Sequence, residues 1–257
     1  MNSFETEWLS RTELLVGSEN ISRLQYANIL VMGLGGVGSY AAEQICRAGV
    51  GKMTIVDGDR VEPSNRNRQL PALISTIGKP KAEVVSQRLM DINPALELNV
   101  VNRYIEDTEM ESFVDNGYDY VIDAIDTLSP KVNLIYNCVK KGVPVVSSMG
   151  AGGKYDPSLV RVVDISKSYN CTLARKIRKS LNRLGVRKGL KVVFSPEEVD
   201  KEAVMLTEQR NKKSTVGTIS YMPPVFGIYC ASVVLRHLLQ ESRQSPASGI
   251  SDTVLAV

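Results

Sequence analysis

The feature that most constrains this chain is a short run of glycines. Gly33-Leu34-Gly35-Gly36-Val37-Gly38 follows an apolar stretch, Asn28–Met32, and leads into residues 37–48, where apolar side chains recur at helical spacing until Gly49. A strand, a G-x-G-x-x-G turn and a helix in that order bring backbone N–H groups close enough to cradle a phosphate at the helix start. Asp57 closes the next apolar run, Lys52–Val56, 19 residues after Gly38. A carboxylate in that position accepts hydrogen bonds from ribose hydroxyls. These residues point to a nucleotide, and on their own they suit NAD and ATP equally.

The rhythm of strand and helix continues beyond the glycines. Lys81–Ile92 reads as a helix closed by Asn93-Pro94. Residues 96–101, 120–122 and 143–146 read as strands, and 131–140 as another helix. Alternation of this kind specifies an α/β fold, a Rossmann-like and mostly parallel sheet with flanking helices. The chain divides into a nucleotide-binding core over 1–150, a basic C-terminal elaboration of the same domain over 151–241, and a loosely ordered tail over 242–257. At 257 residues, with 43% hydrophobic and 23% charged side chains, the chain is long enough for one large soluble domain.

Cysteine usage narrows the class further. Cys46, Cys138, Cys171 and Cys230 form no C-x-x-C pair, so no zinc cage is expected, and isolated thiols fit a reducing, cytoplasmic setting. The N-terminus has no apolar leader run. The apolar segment 222–239 contains Pro223, Pro224, Arg236 and His237 and falls short of the roughly 20 apolar residues of a span, so a buried core helix is expected and no membrane partner.

The stretch after Asp57 tips the balance towards ATP. Ser64-Asn65-Arg66-Asn67-Arg68-Gln69 and Gly78-Lys79-Pro80-Lys81 supply cations and a neutral donor, as a triphosphate needs while charge grows on departing pyrophosphate. A solvated charged surface is the plainer alternative. Hydride transfer usually calls for a proton donor such as histidine, and the single histidine, His237, lies in the apolar C-terminal segment as a core residue; NAD is not expected. Asp126 follows the strand at 120–122, where open parallel sheets seat their ligands, and is a candidate magnesium ligand, whereas Asp123 is expected to cap a turn.

Taken together, GLGGVGS at residues 33–39, VDGD at 56–59, SNRNRQ, GKPK and the Asp126 turn resemble the ubiquitin-activating-like adenylating superfamily. The resemblance implies ATP and Mg²⁺ as cofactors. It assigns Gly33, Gly35, Gly36, Gly38, Asp57, Asp59, Asn65, Arg68, Lys81 and Asp126 to ATP, with Asp57 on the ribose and Asp126 on magnesium. Asn65, Arg68 and Lys81 would act on the triphosphate. It also implies a homodimer in which Arg11 reaches the partner's ATP; a helix-surface arginine is the plain reading of that residue. Within the superfamily, SMGAGGK at 148–154, Asp156-Pro157, VDISK at 163–167, Leu173-Ala174 and VVFS at 192–195 are similar to the tRNA threonylcarbamoyladenosine dehydratases. The implied reaction is ATP-dependent activation of a threonine carboxylate on a modified adenosine beside the anticodon, followed by ring closure with loss of water. Proteins of a sulfur-transfer or cysteine desulfurase system are implied as further partners.

The residues offer independent support for tRNA. Between Lys167 and Lys191 stand Arg175, Lys176, Arg178, Lys179, Arg183, Arg187 and Lys188 with no acid among them. Leu173, Ile177, Leu181 and Leu184 form an apolar stripe, leaving the cations on the other side of one helix as a phosphate-binding face or a merely solvated one. Cys171 has no base nearby in sequence and reads as a structural thiol. Two other functions are weighed against this one: adenylation of the C-terminal glycine of a ubiquitin-like sulfur carrier, which shares the ATP residues but leaves the basic helix unexplained, and a catalytically silent nucleotide-binding scaffold.

Overall fold

Period-two alternation in the apolar runs builds the sheet. In β1 (Asn28–Met32), Ile29 and Val31 face one layer of helices while Leu30 and Met32 face the other, and all four are buried. The computed structural model describes residues 7–206 and 214–240. Around β1 stand β2 (Lys52–Val56), β3 (Glu97–Val101), β4 (Tyr120–Asp123), β5 (Val145–Ser148), β6 (Arg161–Asp164) and β7 (Lys191–Phe194), in the order β3-β2-β1-β4-β5-β7-β6. Every neighbouring pair is parallel except β6 with β7. β8 (Val204–Leu206) and β9 (Ser214–Val216) form a separate antiparallel pair. The expected tail, 242–257, lies outside the described residues.

Helices cover both faces. α1 (Ser10–Val16) and α2 (Ser18–Tyr26) precede β1, α3 (Gly38–Arg47) leaves the glycine turn, and α4 (Lys81–Ile92) crosses from β2 to β3. On the opposite face lie α5 (Met110–Val114), α6 (Leu128–Lys141) and α7 (Thr172–Arg183), which bury Met110, Val114, Leu134, Ile135, Ile177 and Leu181. The last helix, α8 (Met222–Gln240), is long and apolar enough to cross a membrane by length and composition. It packs against α3 and the sheet, and Met222, Phe226, Cys230 and Val234 recur every fourth residue along its buried face.

Two element starts differ from the sequence expectation by two residues or more. α6 starts at Leu128 rather than Lys131, because Pro130 sits in the first turn, where its missing N–H has no intrahelical partner to lose. β5 starts at Val145 rather than residue 143: Gly142 closes α6 in the left-handed region, and Val143 N donates to Cys138 O as part of that cap.

The basic helix also departs from its expected form. α7 ends at Arg183, so Leu184 lies beyond it and is exposed, and Ala174 with Ile177 and Leu181 makes the buried face instead. Arg187 and Lys188 stand past the helix end. Arg178 does not belong to the free cationic face, for its Nη1 donates to Ser168 O at 2.9 Å, meets Ser168 Oγ at 2.7 Å and reaches Ile165 O at 3.2 Å. Arg175, Lys176, Lys179 and Arg183 are exposed. Charged donors to buried acceptors contribute roughly 1.5–3 kcal/mol. Arg178→Ala is therefore expected to destabilise the fold by about 2 kcal/mol in urea unfolding, and Arg175→Ala to stay within about 0.5 kcal/mol of the parent.

Candidate functional site

The glycine turn is shaped by backbone crowding at the carboxyl ends of β1 and β4. Gly33 has φ +90°, and a Cβ there would stand 2.9 Å from Ala124 O. A Cβ on Gly38 would stand 1.8 Å from Gly33 O, so neither position admits a side chain. Gly36 abuts Pro223 of α8 and the Arg68 backbone, at 2.9 and 3.1 Å from its would-be Cβ. Gly35 differs, since a Cβ there would meet nothing closer than Gln69 Nε2 at 3.8 Å. Packing within the chain explains three of the glycines and leaves Gly35 uncrowded.

Beside the turn stands Asp57, buried at the end of β2. Its Oδ2 accepts from Leu34 N–H at 2.6 Å and its Oδ1 from Asp59 N–H at 2.7 Å. Burial pushes its carboxyl above the usual range, opposed by the Lys81 charge and these two N–H groups. Lys81, only 5% exposed, opens α4 and places Nζ 2.8 Å from Asp59 Oδ2. The segments meet because Arg60 bridges to Pro80 and Lys81 N donates to Asp59 O. Asp59 also accepts from the Tyr104 hydroxyl, a residue that nothing in the sequence singled out. That bond, then burial, raise the phenol's pKa, and the charges of Asp57 and of Asp126, exposed three residues beyond β4, add to the effect.

The loop between β2 and α4 carries the remaining cations. Asn65 is buried and spends its Oδ1 on Glu62 N–H at 3.1 Å, which fixes the turn. Arg68 lies along Gly36, and its Nη1 donates to Ser64 O at 3.0 Å and Asn67 Oδ1 at 2.8 Å. Asn67 Nδ2 in turn donates to Thr218 O at 3.0 Å, tying this loop to the segment before α8. Arg66 lines an open cavity of about 530 Å³ with Ala72, Leu73, Ile74 and Ser75.

Other residues fall elsewhere. Arg11 is exposed on α1, and its neighbour Leu9 packs on Gly49 at the far end of α3, so the protomer does not bring Arg11 to its own glycine turn. His237 is half-buried rather than a core residue, and packs edge-on against Tyr120 at the start of β4, away from the carboxyl ends of the strands. Cys171 caps α7, its Sγ 3.5 Å from Ala174 N. Asp123 does cap a turn, accepting from Ile125 N–H at 3.1 Å, and it also forms a fully buried ion pair with Lys131 that sequence reasoning missed. Lys154, 4% exposed, was missed as well; its Nζ donates to Glu197 O, while the Glu197 carboxylate accepts from Tyr155 N, Asp156 N and Ser195 Oγ. Burial lowers the Lys154 pKa.

Comparison with known proteins agrees with this geometry. The ThiF family profile matches residues 9–253. The tRNA threonylcarbamoyladenosine dehydratase of Bacillus subtilis is 39% identical over 240 residues, covering 90% of this chain and 94% of that protein. A molybdopterin-synthase adenylyltransferase of Salmonella typhimurium is 36% identical but over 50% of this chain. Among solved structures, the E. coli tRNA N6-threonylcarbamoyladenosine dehydratase in complex with ATP superposes with a TM-score of 0.87 at 32% identity, covering 95% of this chain and 99% of that one. The chain belongs to the ThiF family and, within it, to the tRNA threonylcarbamoyladenosine dehydratases.

Proposed function

We propose that this protein uses ATP to dehydrate threonylcarbamoyladenosine in tRNA, closing a ring on the modified base next to the anticodon. The observation that carries the reading is the convergence of the Gly33–Gly38 turn, Asp57, Arg68, Lys81 and Asp126 at one set of strand ends, in a chain that matches dehydratases over nearly its whole length. In this reading the threonine carboxylate attacks the α-phosphorus of ATP and pyrophosphate leaves. The carbamoyl group then attacks the activated carbonyl, AMP departs, and the sum is loss of one water.

Each residue has a task that follows from its setting. N–H groups of the glycine turn and the start of α3 hold phosphate oxygens. Asp57, already anchored by two backbone N–H groups, keeps lone pairs for the ribose hydroxyls. Lys81 exchanges its bond with half-exposed Asp59 for a phosphate oxygen, and Arg68 turns from Ser64 and Asn67 to the pyrophosphate being released. Asn65, held by Glu62, directs its amide nitrogen at the same group. Asp126, an exposed carboxylate at the strand ends, suits Mg²⁺, which takes one or two carboxylates with phosphate and water. That ion would neutralise charge on the triphosphate.

The exposed Arg175, Lys176, Lys179 and Arg183 of α7, with Arg187 and Lys188 beyond it, are assigned to tRNA phosphates, and Arg178 to the fold. We assign Arg11 to a partner protomer's ATP in a homodimer, a role supported by its exposure on α1, next to Leu9 at the far end of α3. The setting proposed is cytoplasmic, with sulfur-transfer or cysteine desulfurase proteins as further partners. Adenylation of a ubiquitin-like sulfur carrier is the second reading, favoured by the adenylyltransferase match over half the chain.

Incubation with ATP, Mg²⁺ and threonylcarbamoyladenosine-bearing tRNA, followed by nucleoside mass spectrometry, is expected to give an ATP-dependent product lighter by one water. Absence of product with ATP bound would favour the carrier or a silent scaffold. Lys81→Ala and Arg68→Ala are each expected to lower turnover about 100-fold or more with unchanged circular dichroism. Near-parental turnover in both would remove their assignment. Exchanging Arg175, Lys176 and Lys179 for Glu should weaken tRNA binding and flatten its salt dependence while ATP affinity holds. Mixing inactive Arg11→Ala and Lys81→Ala proteins should restore activity, because one hybrid site then has both groups; a mixture that stays inactive rejects the shared site.

A further inference from the structure

Asp123 and Lys131 are both 0% exposed, with Nζ 2.9 Å from Oδ2. Removing two charges from water is seldom rewarded by their mutual attraction, and well-packed apolar residues usually serve folding as well. The geometry of the pair shows another use. Asp123 Oδ1 accepts from Ile125 N–H at 3.1 Å, and Lys131 Nζ donates to the Ile125 carbonyl at 2.9 Å. Ile125 is thereby held at both its N–H and its C=O. Ser147 Oγ, from the neighbouring strand β5, donates to Asp123 Oδ2 at 2.6 Å and stops the carboxylate from turning.

The peptide gripped by Lys131 is the one that joins Ile125 to Asp126. The same turn is pinned against the glycine loop: Ala124 N donates to Met32 O at 2.9 Å, and Ala124 O stands 2.9 Å from where a Gly33 side chain would begin. The clamp therefore sets the placement of Asp126 relative to the phosphate-binding backbone before any nucleotide arrives. We propose that Lys131, braced by Asp123 and Ser147, is a positioning residue that holds Asp126 in register with the glycine turn for the magnesium-bound triphosphate. This rests on the reading above that Asp126 meets magnesium.

The test compares ATP affinity by calorimetry, with Mg²⁺ and with EDTA, in the full-length protein. Asp123→Asn combined with Lys131→Met removes both charges and the grip on the carbonyl, but leaves an acceptor for Ile125 N–H. In this variant ATP affinity in EDTA is expected to stay within about threefold of the parent, while the gain on adding Mg²⁺ falls by about tenfold. Lys131→Arg, which keeps a cation and donors, is expected to retain most of the gain. Adding Asp126→Ala to the double variant should cost little more, since both act on one contact. If Asp126→Ala alone abolishes the gain while the double variant keeps it, the positioning role is overturned and the magnesium assignment stands. If Asp126→Ala leaves the gain intact, the magnesium assignment fails and the proposal with it. Hydrogen exchange on the unaltered protein gives a test free of folding effects. Residues 123–127 should be protected before nucleotide is added, and protection that arises only with Mg²⁺ and ATP overturns the proposal.

Discussion

Backbone contact between the Gly33 turn and Ala124 is the constraint on which the arrangement of this site depends. β1 lies between β2 and β4, and the chain leaves it first through α3 towards β2 and β3, returning later to β4. Crossovers that diverge on either side of β1 open a crevice at the carboxyl ends of these strands. Gly33 lets its turn sit almost on the one after β4, with a would-be Cβ 2.9 Å from Ala124 O, and Gly38 lets the glycine turn fold on itself, since a methyl there would meet Gly33 O at 1.8 Å. Three of the residues proposed for the nucleotide adjoin this crossing: Asp57 is bonded to Leu34 N–H, Arg68 lies along Gly36, and Asp126 follows Ala124 by two residues.

Two buried lysines flank the crevice and illustrate how exposure of a partner decides a charge's use. Lys81 pairs with Asp59, whose side chain is 50% exposed, so water can solvate the acid if the lysine leaves it. Attraction across such a boundary is modest, and a phosphate can compete for the ammonium. Lys131 pairs with an acid that no water reaches. Separating that pair would strand a charge in the interior, so it stays in place and transmits rigidity instead. The Lys81 pair is thus open to competition from another anion, and the Lys131 pair is not.

The second half of the chain extends the same sheet. β7 adds in parallel beside β5, β6 closes the edge in antiparallel sense, and α7 covers the face that α6 begins. Lys154 and Glu197 lock the Gly-rich turn after β5 to the segment after β7, and Gly153 N donates to Gly217 O. Asn67 reaches Thr218 from the other side. The loop that carries Arg68 is therefore tied through Gly217 and Thr218 to the turn after β5, and through Lys154 and Glu197 to the segment after β7.

How much of this was legible in the sequence depends on whether a signal is local. The glycine turn, Asp57, and the cation-rich stretches with Arg68 and Lys81 could be read because spacing along a strand, turn and helix dictates where such residues emerge. By itself the sequence determined the α/β class, the parallel rhythm, the glycine turn and the apolar core of the last helix, all consequences of short-range periodicity and steric freedom. Arg178 was indistinguishable from Lys179, since only the position of Ser168 beneath the helix makes one a structural donor and leaves the other in solvent. Tyr104 meets Asp59 across 45 residues and Lys154 meets Glu197 across 43, and neither aromatic nor lysine carried any mark of that destination. Tertiary structure alone decided which charges are buried, paired or free, because desolvation and Coulomb attraction depend on distance through space and on access of water, and neither is written in the order of residues.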